Sequence, residues 1–447
     1  MNPDIFKAYD IRGKVGTELT PEITGRIGRA FAEWLPEKGF AVVGRDMRPD
    51  SEEFAKSLIQ GLREQGRDVI DIGLVSSDMI YFAVGNLGAA GGAMVTASHN
   101  PGAYNGIKLC RDEARPLSIE EGLDVIRDAC LKNEFTKSQV EGTLTKKEIT
   151  PAWIDHVLRF VNVSQWPDYH IAIDAGNGML GAIAPLLATK IPHLTVKEMF
   201  YELDGTFPNH PANPLLNEGI VDLQHDIQKE KLDFGIAFDG DGDRAVLVDE
   251  TGERVSGTVM TAILADYFLA NEPGSTILYD LRVGHVVPDL IVKKGGTGIR
   301  TRVGHSFIKS AMRQNDAIFA GELSYHFYFR DNWFADSGLL AAMIAIEVLA
   351  KSKKSLHELA GEYKTYTSIN ETNFEVKDKA KVLQRLKEMF HDGKQDTLDG
   401  LTIEYDDAWF NVRASNTESL LRLNAEAHTN DRLNELVNRV TKALTGS

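Results

Sequence analysis

The sequence predicts an α/β protein in which one α/β unit is used three times and a smaller α+β domain follows, and three observations support this. Strand-like apolar segments alternate with amphipathic helical segments over most of the chain, which favours α/β architecture with largely parallel strands. The chain has 447 residues, more than one hydrophobic core usually organises. Its last segment instead alternates short strands, such as "LTIEY" and "LLRLNAEA", with helices.

Six candidate strands define the repeated unit, and they form three pairs. They lie at 40–46, 91–97, 170–176, 234–240, 276–282 and 316–322. In the first member of each pair an apolar run ends at an aspartate: Asp46, Asp174 or Asp280. In the second member the strand leads into a loop of small and polar residues, at 96–101, 239–244 or 321–324. A single unit used three times, with diverged sequence, explains this pattern.

Polar stretches predict where the domains meet. Residues 132–150 are charged and lack an apolar period, 249–257 are rich in turn formers, and 351–371 leave a helix for a region of different composition. The predicted domains are therefore 1–148, 149–252, 253–366 and 367–447. Helices are predicted at 52–65, 257–269 and 339–350, and Thr150-Pro151 is expected to begin another.

Composition and charge narrow the classes of function. The net charge of −16 disfavours nucleic acid and anionic membranes as partners, so an anionic substrate would need a local cationic pocket. The N-terminus has no basic-then-apolar leader, and the apolar run at 339–350 is too short to span a bilayer. Two cysteines, Cys110 and Cys130, fit neither a disulfide framework nor a zinc site, which predicts a cytoplasmic protein. The sequence leaves the oligomeric state open.

The string "FDGDGDR" at 238–244 predicts a metal site. Asp239, Asp241 and Asp243 recur every second residue after an apolar strand, which places their carboxylates on one face. The intervening glycines let the chain curl so that these groups converge. Converging carboxylates need a cation, and hard oxygen ligands select Mg²⁺ or Ca²⁺.

The acidic string is also compatible with two alternatives to this metal site. An EF-hand loop also begins Asp-x-Asp-x-Asp, but Arg244 replaces its required glycine and both flanks are strand-like. A solvated acidic turn is the other alternative, and it does not explain why all three acids keep a period of two.

The string "VTASHNPGAYNGIK" at 95–108 predicts a phosphate-carrying serine. A phosphate ester on Ser98 would supply the missing oxygen ligand of the metal. Glycines in this loop let the backbone approach a phosphate, and Lys108 adds positive charge. The alternative is that Ser98 and His99 form an ordinary hydrogen-bonded turn before Pro101.

Further strings supply groups for a phosphorylated sugar. In "RASNTESLLRL", Arg413 can bind phosphate through its fork of N–H groups, although the same string can act as a helix N-cap. In "GELSYHFYF", Glu322, Ser324 and His326 alternate and are expected to share one face of a strand. "KAYDIRG" brings Tyr9 and Arg12 together, and Gly304-His305 follows a strand-like segment.

Taken together and in this order, these strings resemble the α-D-phosphohexomutase family, and within it the bacterial phosphomannomutases. The strings that resemble its phosphoserine, metal, sugar-binding and phosphate-binding loops are, in that order, 96–101, 239–244, 321–326 and 413–417. The resemblance covers nearly the whole chain. It implies three related α/β domains and a C-terminal TBP-like α+β domain around a central cleft.

The resemblance also implies roles for individual residues. Phosphorylated Ser98 would be the donor and a ligand of Mg²⁺, together with Asp239, Asp241 and Asp243. Arg12, Lys108 and His99 would assist the transfer. The residues implied to bind the substrate are Tyr9, Arg244, Arg282, Gly304, His305, Glu322, Ser324, His326, Arg413, Ser415, Asn416 and Thr417.

The activity implied by the resemblance is exchange of a phosphoryl group between O1 and O6 of a hexose through a hexose 1,6-bisphosphate. A Mg²⁺-dependent enzyme that interconverts mannose 6-phosphate and mannose 1-phosphate is the leading hypothesis, with the bisphosphate as activator. Glucose or dual specificity is the first alternative, and an amino-sugar substrate or phosphosugar hydrolysis are further ones. A non-catalytic sugar-phosphate sensor is disfavoured by the intact serine, acidic loop and phosphate clamp.

Overall fold

The computed structural model describes residues 1–376, 378–414 and 420–445, and it places them in four domains with one β-sheet each. Among these residues, no helix combines the length and the apolar character that crossing a membrane requires. Both cysteines are buried and free.

The first domain has a six-stranded sheet in the order β1-β5-β4-β2-β3-β6. Its strands are β1 (Ile11–Lys14), β2 (Ala41–Arg45), β3 (Val69–Leu74), β4 (Gly91–Val95), β5 (Tyr104–Arg111) and β6 (Leu144–Lys146). Its helices are α1 (Pro21–Trp34), α2 (Ser51–Glu64), α3 (Ser77–Leu87) and α4 (Leu123–Lys132). Successive residues of β2 point to opposite faces, so Val42 packs in the core that contains α3 and Val43 in the core of α1 and α2.

The second domain has a four-stranded sheet in the order β10-β9-β7-β8. Its strands are β7 (Tyr169–Asp174), β8 (Leu194–Met199), β9 (Phe234–Phe238) and β10 (Ala245–Asp249). Its helices are α5 (Thr150–Leu158), α6 (Leu180–Ala188) and α7 (Val221–Glu230). Helix α5 begins at the predicted Thr150-Pro151 pair.

The third domain has a five-stranded sheet in the order β12-β11-β13-β14-β15. Its strands are β11 (Thr276–Asp280), β12 (Thr297–Thr301), β13 (Phe319–Gly321), β14 (Phe327–Phe329) and β15 (Ala335–Asp336). Its helices are α8 (Gly257–Asn271), α9 (Val286–Lys293), α10 (His305–Gln314), α11 (Gly338–Ser352) and α12 (Leu356–Gly361). The apolar run predicted as a buried helix is α11.

The fourth domain is the predicted α+β segment. Its sheet runs β16-β21-β20-β19-β18, and β17 also pairs with β21. The strands are β16 (Thr367–Ser368), β17 (Thr372–Glu375), β18 (Lys394–Asp396), β19 (Leu401–Glu404), β20 (Ala408–Ala414) and β21 (Leu420–Ala427), and the helices are α13 (Lys379–Met389) and α14 (Asn430–Thr445). This domain has its own core, whereas one continuous core contains residues of the other three.

The three predicted strand pairs are neighbours in the sheets, and each pair is parallel: β2 with β4, β7 with β9, and β11 with β13. The aspartate that ends the first strand has the same role in each. Asp46, Asp174 and Asp280 each accept the backbone N–H of the residue two positions later, at 3.1, 2.8 and 2.7 Å. This shared turn confirms that the first three domains are related.

The prediction of largely parallel sheets was only partly right. After each polar loop the chain returns as an antiparallel strand, so β5 pairs with β4, β10 with β9, and β14 with β13. The loops that connect these strands are short, and a parallel connection needs a crossover of about a dozen residues or more. Each polar loop is therefore the tip of a hairpin at the end of a parallel pair.

Candidate active site

Ser98 lies in the hairpin loop between β4 and β5, with its backbone in the left-handed region at a φ of 51°. Its backbone N–H donates to Oγ1 of Thr96 at 2.9 Å. Its hydroxyl donates to Oδ2 of Asp239 at 3.1 Å and lies 3.0 Å from Nδ1 of His99. The serine is 3% exposed, and its side chain faces the second domain.

The guanidinium of Arg48 holds this loop through hydrogen bonds to its backbone. It donates to four backbone carbonyls, those of Ser98 at 2.8 Å, Asn100 at 2.6 Å, Pro101 at 3.1 Å and Tyr104 at 2.8 Å. Arg48 is 3% exposed. One buried cation therefore fixes the path of the main chain around the serine.

Arg48 also joins the loop to the second domain. Its guanidinium lies 5.1 Å from the ring centroid of Phe207. A Cβ atom added at Gly205 would lie 2.5 Å from Cα of Arg48, so the two backbones meet without room for a side chain. The serine loop is thus fastened across a domain boundary.

Arg12 on β1 is a second cation that holds the Ser98 loop. Its Nη1 donates to the carbonyl of Ala97 at 2.9 Å and to Oδ1 of Asn100 at 2.5 Å, and its Nε donates to Asp10 at 2.7 Å. Burial alone would lower the pKa of Arg12, but Asp10 outweighs burial and raises the pKa. Arg12 is therefore a permanent positive charge beside Ser98.

The acidic loop between β9 and β10 brings three carboxylates together. Gly242 turns the chain with a φ of 75°, and ligand oxygens of Asp239, Asp241 and Asp243 lie within 4.8 Å of one another. The flanking strands rule out an EF-hand, whose loop lies between helices. The carboxylates are at most 2% exposed, so the solvated acidic turn is also excluded.

These residues fit a divalent cation. Oδ1 of Asp241 and Oδ1 of Asp243 are buried and accept no hydrogen bond from the described residues. Buried unpaired carboxylate oxygens are costly, and Mg²⁺ binds oxygen ligands of this kind. The donor set and its convergence therefore match a small, hard metal ion.

Two cations balance the acidic loop. Nζ of Lys108, on β5, lies 2.6 Å from Oδ2 of Asp241 and 2.6 Å from Oδ2 of Asp243. Burial alone would lower the pKa of Lys108, but these two carboxylates raise it well above its ordinary value. Nε of Arg244 lies 2.9 Å from Oδ2 of Asp239, and its Nη2 contacts Nδ1 of His99.

The imidazole of His99 is neutral. Burial, together with the positive charges of Arg244 and Arg12, lowers the pKa of His99 well below its ordinary value. Nδ1 therefore accepts a hydrogen bond from Arg244. The imidazole next to the Ser98 oxygen is thus uncharged, and its Nδ1 lone pair is engaged by Arg244.

The loop at 322–326 is a turn between β13 and β14, so the prediction of an alternating strand was wrong there. A hairpin must reverse at this point, since Gly321 pairs with Phe327. Glu322 and Ser324 nevertheless reach the same space: Oγ of Ser324 donates to Oε2 of Glu322 at 2.9 Å. Arg282 lies 3.2 Å from that hydroxyl and forks onto Asp280 at 2.7 and 3.1 Å.

His326 belongs to a buried network of charges. Its Nδ1 lies 2.9 Å from Oδ2 of Asp336 and 3.8 Å from Oδ1 of Asp243. Nζ of Lys309 lies 2.6 Å from Oδ1 of Asp336, and Lys309 is fully buried. Burial would lower the pKa of His326, but Asp243 and Asp336 outweigh burial and raise it.

Gly304 and His305 form the start of α10, and both line the same cavity as His326. Gly304 has a φ of 132°, and the ring of His305 packs edge-to-face on Tyr9 at 4.5 Å. Burial, together with Lys309, lowers the pKa of His305 well below its ordinary value. A neutral imidazole and a phenol therefore line the same cavity as the turn at 322–326.

Arg413 lies on β20 of the fourth domain, directly opposite Arg422 on β21. Both line the same cavity. Ser415, Asn416 and Thr417 lie outside the described residues. Nη2 of Arg413 lies 3.2 Å from Oε2 of Glu371, and the same carboxylate accepts from Asn424 through Oε2 and from Arg422 through Oε1.

All of these walls enclose one cleft of about 290 Å³. The structure places most of the site residues predicted from the sequence in the lining of this cleft: Tyr9, Arg12, Ser98, His99, Lys108, Asp243, Arg282, Gly304, His305, Glu322, Ser324, His326 and Arg413. Asp239, Asp241 and Arg244 are buried beside this lining. In a chain whose net charge is −16, five cations of the described part line this cleft together with four carboxylates: Arg12, Lys108, Arg282, Arg413 and Arg422, and Asp10, Asp243, Glu322 and Asp336.

Sequence reasoning missed other residues of the cleft. Asp10, Tyr81, Asp336 and Arg422 line it as well. Arg422 was detectable, because an arginine interrupts the apolar "SLLRLNA" strand just beyond the predicted phosphate string. Asp336 carried a weaker signal, a carboxylate directly before the Ser337 cap of α11.

Comparison with known proteins agrees with this architecture. The family model "Phosphoglucomutase/phosphomannomutase, alpha/beta/alpha domain I" matches residues 3–137, and those for domains II and III match 151–252 and 256–366. The corresponding C-terminal domain model matches 371–443.

Full-length relatives and a solved structure extend the match. A phosphomannomutase of Vibrio cholerae is 38% identical over 452 residues, covering 98% of each chain. The phosphohexose mutases of Xanthomonas campestris are 39% identical over 426 residues, covering 94% of each chain. A phosphoglucomutase/phosphomannomutase family protein of Burkholderia thailandensis superposes with a TM-score of 0.90 at 29% identity, covering 100% of this chain and 98% of that one.

Four domains around a cleft that is lined by both cations and carboxylates, with a serine facing an acidic loop, match an isomerase-class phosphohexomutase. The chain belongs to the phosphoglucomutase/phosphomannomutase family.

Proposed function

We propose that this protein is a Mg²⁺-dependent cytoplasmic enzyme that interconverts mannose 6-phosphate and mannose 1-phosphate through phosphorylated Ser98. The observation that carries the proposal is the 3.1 Å contact between the Ser98 hydroxyl and Asp239, in a cleft that Arg413 of the fourth domain also lines. That arrangement supports a phosphoryl donor at one end and a phosphate clamp at the other.

The donor end supports transfer of a phosphoryl group by positioning and by neutralising charge. Asp239, Asp241 and Asp243 would hold Mg²⁺, which when bound withdraws charge from phosphoryl oxygens. Arg12 and Lys108 remain cationic and add fixed positive charge beside Ser98. Arg48 keeps the Ser98 backbone in place during the exchange.

A proton must move whenever Ser98 is phosphorylated or releases its phosphoryl group. When a sugar phosphate gives its phosphoryl group to the serine, the Ser98 hydroxyl loses a proton and the sugar oxygen that is released takes one up. When the phosphoryl group leaves the serine, the attacking sugar hydroxyl loses a proton and the serine oxygen takes one up. His99, whose Nδ1 lies 3.0 Å from the serine oxygen and accepts from Arg244, would orient the serine in both steps. His326, which carries a raised pKa, lies on the sugar side of the cleft.

The distal end supports a sugar that turns over between two half-reactions. Arg413 would bind the phosphate that is not reacting, with Ser415, Asn416 and Thr417 as further donors and Tyr9 nearby. Glu322 and Ser324 would bind hydroxyl groups near the middle of the ring, and Arg244, Arg282, Gly304, His305 and His326 would complete the walls. The hexose 1,6-bisphosphate intermediate can then present either phosphate to the same serine, and added bisphosphate would act as activator.

Mannose is proposed as the preferred sugar, because several relatives that match nearly the whole chain are phosphomannomutases. A bulky side chain in the turn at 322–326 could help to separate mannose from glucose, and Tyr325 is the largest residue there. Its ring does not line the cleft, since its hydroxyl donates to the Val255 carbonyl at 3.0 Å and the residue is buried. Discrimination by shape alone amounts to about 1–3 kcal/mol. Glucose phosphates are therefore expected to react at a measurable rate.

One assay tests this function. The purified protein is incubated with mannose 1-phosphate, Mg²⁺ and hexose bisphosphate, and both mannose 6-phosphate and free phosphate are followed. Formation of the 6-phosphate alone supports the mutase, whereas release of free phosphate would identify a hydrolase. No change in the sugar would contradict both.

A second candidate is a dual-specificity hexose mutase, which the phosphohexose mutases of Xanthomonas campestris favour. Measurement of kcat/KM for mannose 1-phosphate and glucose 1-phosphate at saturating Mg²⁺ separates the two. A glucose value well above the mannose value would overturn the mannose assignment and leave the hexomutase mechanism in place.

A further inference from the structure

Glu371 stands where the chain enters the fourth domain, between β16 and β17, and its carboxylate contacts three side chains of the phosphate end. Oε2 accepts from Nη2 of Arg413 at 3.2 Å and from Nδ2 of Asn424 at 3.1 Å. Oε1 accepts from Nη1 of Arg422 at 3.1 Å. Nη1 of Arg282, from the third domain, lies 3.8 Å from Oε2.

The arginines around this carboxylate repel one another. Arg413 and Arg422 are directly opposite on neighbouring antiparallel strands, where like charges are destabilising. Burial, together with the charge of Arg282, lowers the pKa of Arg413. Burial would raise the pKa of Glu371, but Arg282 and Arg413 outweigh burial and lower it. Glu371 is therefore ionised and offsets part of the positive charge.

The carboxylate of Glu371 does not block access from the cleft to Arg282, Arg413 and Arg422. Arg282, Arg413 and Arg422 all line the cleft, whereas Glu371 is not part of its lining. Nε of Arg413 is buried and has no hydrogen-bond partner among the described residues. A phosphate entering the cleft would thus meet the guanidinium groups while Glu371 holds them from the other side.

We propose that Glu371 is a positioning residue that acts through these arginines as a resident counter-charge and limits how tightly the distal phosphate is held. This inference rests on the proposed function, in which that phosphate is bound and then released so that the sugar can turn. A phosphate monoester carries a charge of about −1.5 to −2. Asp280 already pairs with Arg282, so Arg413 and Arg422 alone would match that charge, and Glu371 lowers the positive charge that meets the phosphate by one.

The consequence follows from how binding energy acts on a reaction in two half-steps. Interactions that hold the bound sugar but must be broken when it turns lower KM and also lower kcat, because the turning step has to lose them. An intermediate with two phosphates that is held too tightly would be slow to leave the clamp and present its other end. Glu371 is thus expected to raise KM and kcat together.

The test is the variant Glu371→Gln, which removes the charge and keeps an acceptor oxygen. Titration with inorganic phosphate and with mannose 6-phosphate should give a Kd that is lower on the order of tenfold, from the loss of one nearby negative charge. Steady-state kinetics should show KM and kcat both falling, with kcat/KM nearly unchanged. Glu375→Gln, which removes an exposed charge from β17, should change none of these values.

Outcomes that overturn the inference are distinct from those that overturn the proposed function. If Glu371→Gln leaves Kd unchanged or raises it, Glu371 only braces the arginines and the inference is wrong. Arg413→Ala serves as the reference, because it should weaken phosphate binding. If Arg413→Ala binds phosphate like the parent, the phosphate clamp of the proposed function fails. Thermal melts of both variants confirm that the fold is retained.

Discussion

The hydroxyl of Ser98 and the carboxylate of Asp239 lie 3.1 Å apart, although 141 positions of sequence separate them and they belong to different domains. Each residue lies in a hairpin loop that follows the second strand of a parallel pair. The related construction of the first two domains therefore delivers a nucleophile and an acidic loop to the same point.

We expect Ser98→Ala to abolish the exchange, because the phosphoryl group has no other oxygen at this position. The loss in kcat should be roughly a thousandfold or more. Mass spectrometry of the parent incubated with hexose bisphosphate should find one phosphate on the peptide that contains Ser98. Ser138→Ala, at an exposed serine, is the control. Full turnover by Ser98→Ala would contradict the donor assignment.

Asp241→Asn should weaken binding of Mg²⁺ by at least about tenfold, since it removes a formal charge from an oxygen ligand. Calorimetric titration measures the affinity directly, and the rise in Tm on adding Mg²⁺ provides a second readout. Asp128→Asn, at an exposed carboxylate, should behave like the parent. A mutase rate that survives complete chelation would show that no metal is needed.

Arg413→Ala should lower kcat/KM roughly tenfold to a hundredfold, the value of a charge-assisted hydrogen bond of about 1.5–3 kcal/mol. Remote binding energy also orients the reacting hydroxyl, so kcat should fall as KM rises. Arg385→Ala, on the exposed face of α13, tests for a general effect of losing positive charge in this domain. Kinetics equal to the parent would remove Arg413 from the site.

Asp78 at the start of α3 predicts a pH-dependent stability. Its carboxylate accepts from Ser76 and, across a domain boundary, from Ser337 at 2.6 Å. Burial raises its pKa from 3.8 to about 7, so between those values the folded protein keeps a proton that the unfolded chain has lost. The stability contributed by this proton is complete below about pH 4 and is lost as the pH rises to 7.

Asp78→Asn removes this dependence. The variant should match the parent near pH 4 and become more stable by on the order of 2–4 kcal/mol above pH 7. Urea unfolding at a series of pH values measures the difference, with Asp128→Asn as the control. A difference that does not vary with pH would show that the Asp78 carboxyl titrates in its ordinary range.

The sequence predicted the features that are local. Three carboxylates at every second residue, those of Asp239, Asp241 and Asp243, repel one another, and this pattern indicates a cation. The strand that ends at Ser98 in a glycine-rich turn can likewise be recognised from the sequence without knowledge of the fold. Whether neighbouring strands pair in parallel or antiparallel was less predictable. The strand after each polar loop pairs antiparallel with the strand before it, and this depends on the length of the loop and on which strands are neighbours in the sheet. The alternation of Glu322, Ser324 and His326 misled, since a hairpin turn lies there.

Residues that act at long range were not predictable. Arg48 lies in "GRDMRPDS", a string with no chemical signature, and its meaning depends on carbonyls 50 to 56 positions away. Glu371 lies in a polar segment that composition alone assigns to a joint. Their roles arise only when the fold buries a charge next to partners that the chain supplies elsewhere.

The fastening of the Ser98 loop to the second domain has a genetic consequence. Gly205 is not among the residues that line the cleft, yet its backbone packs against Arg48 with no space for a methyl group. Any larger residue there would displace the guanidinium that four carbonyls of the serine loop share. A screen for inactive alleles should therefore recover substitutions at Gly205, in a domain other than the one that carries the nucleophile.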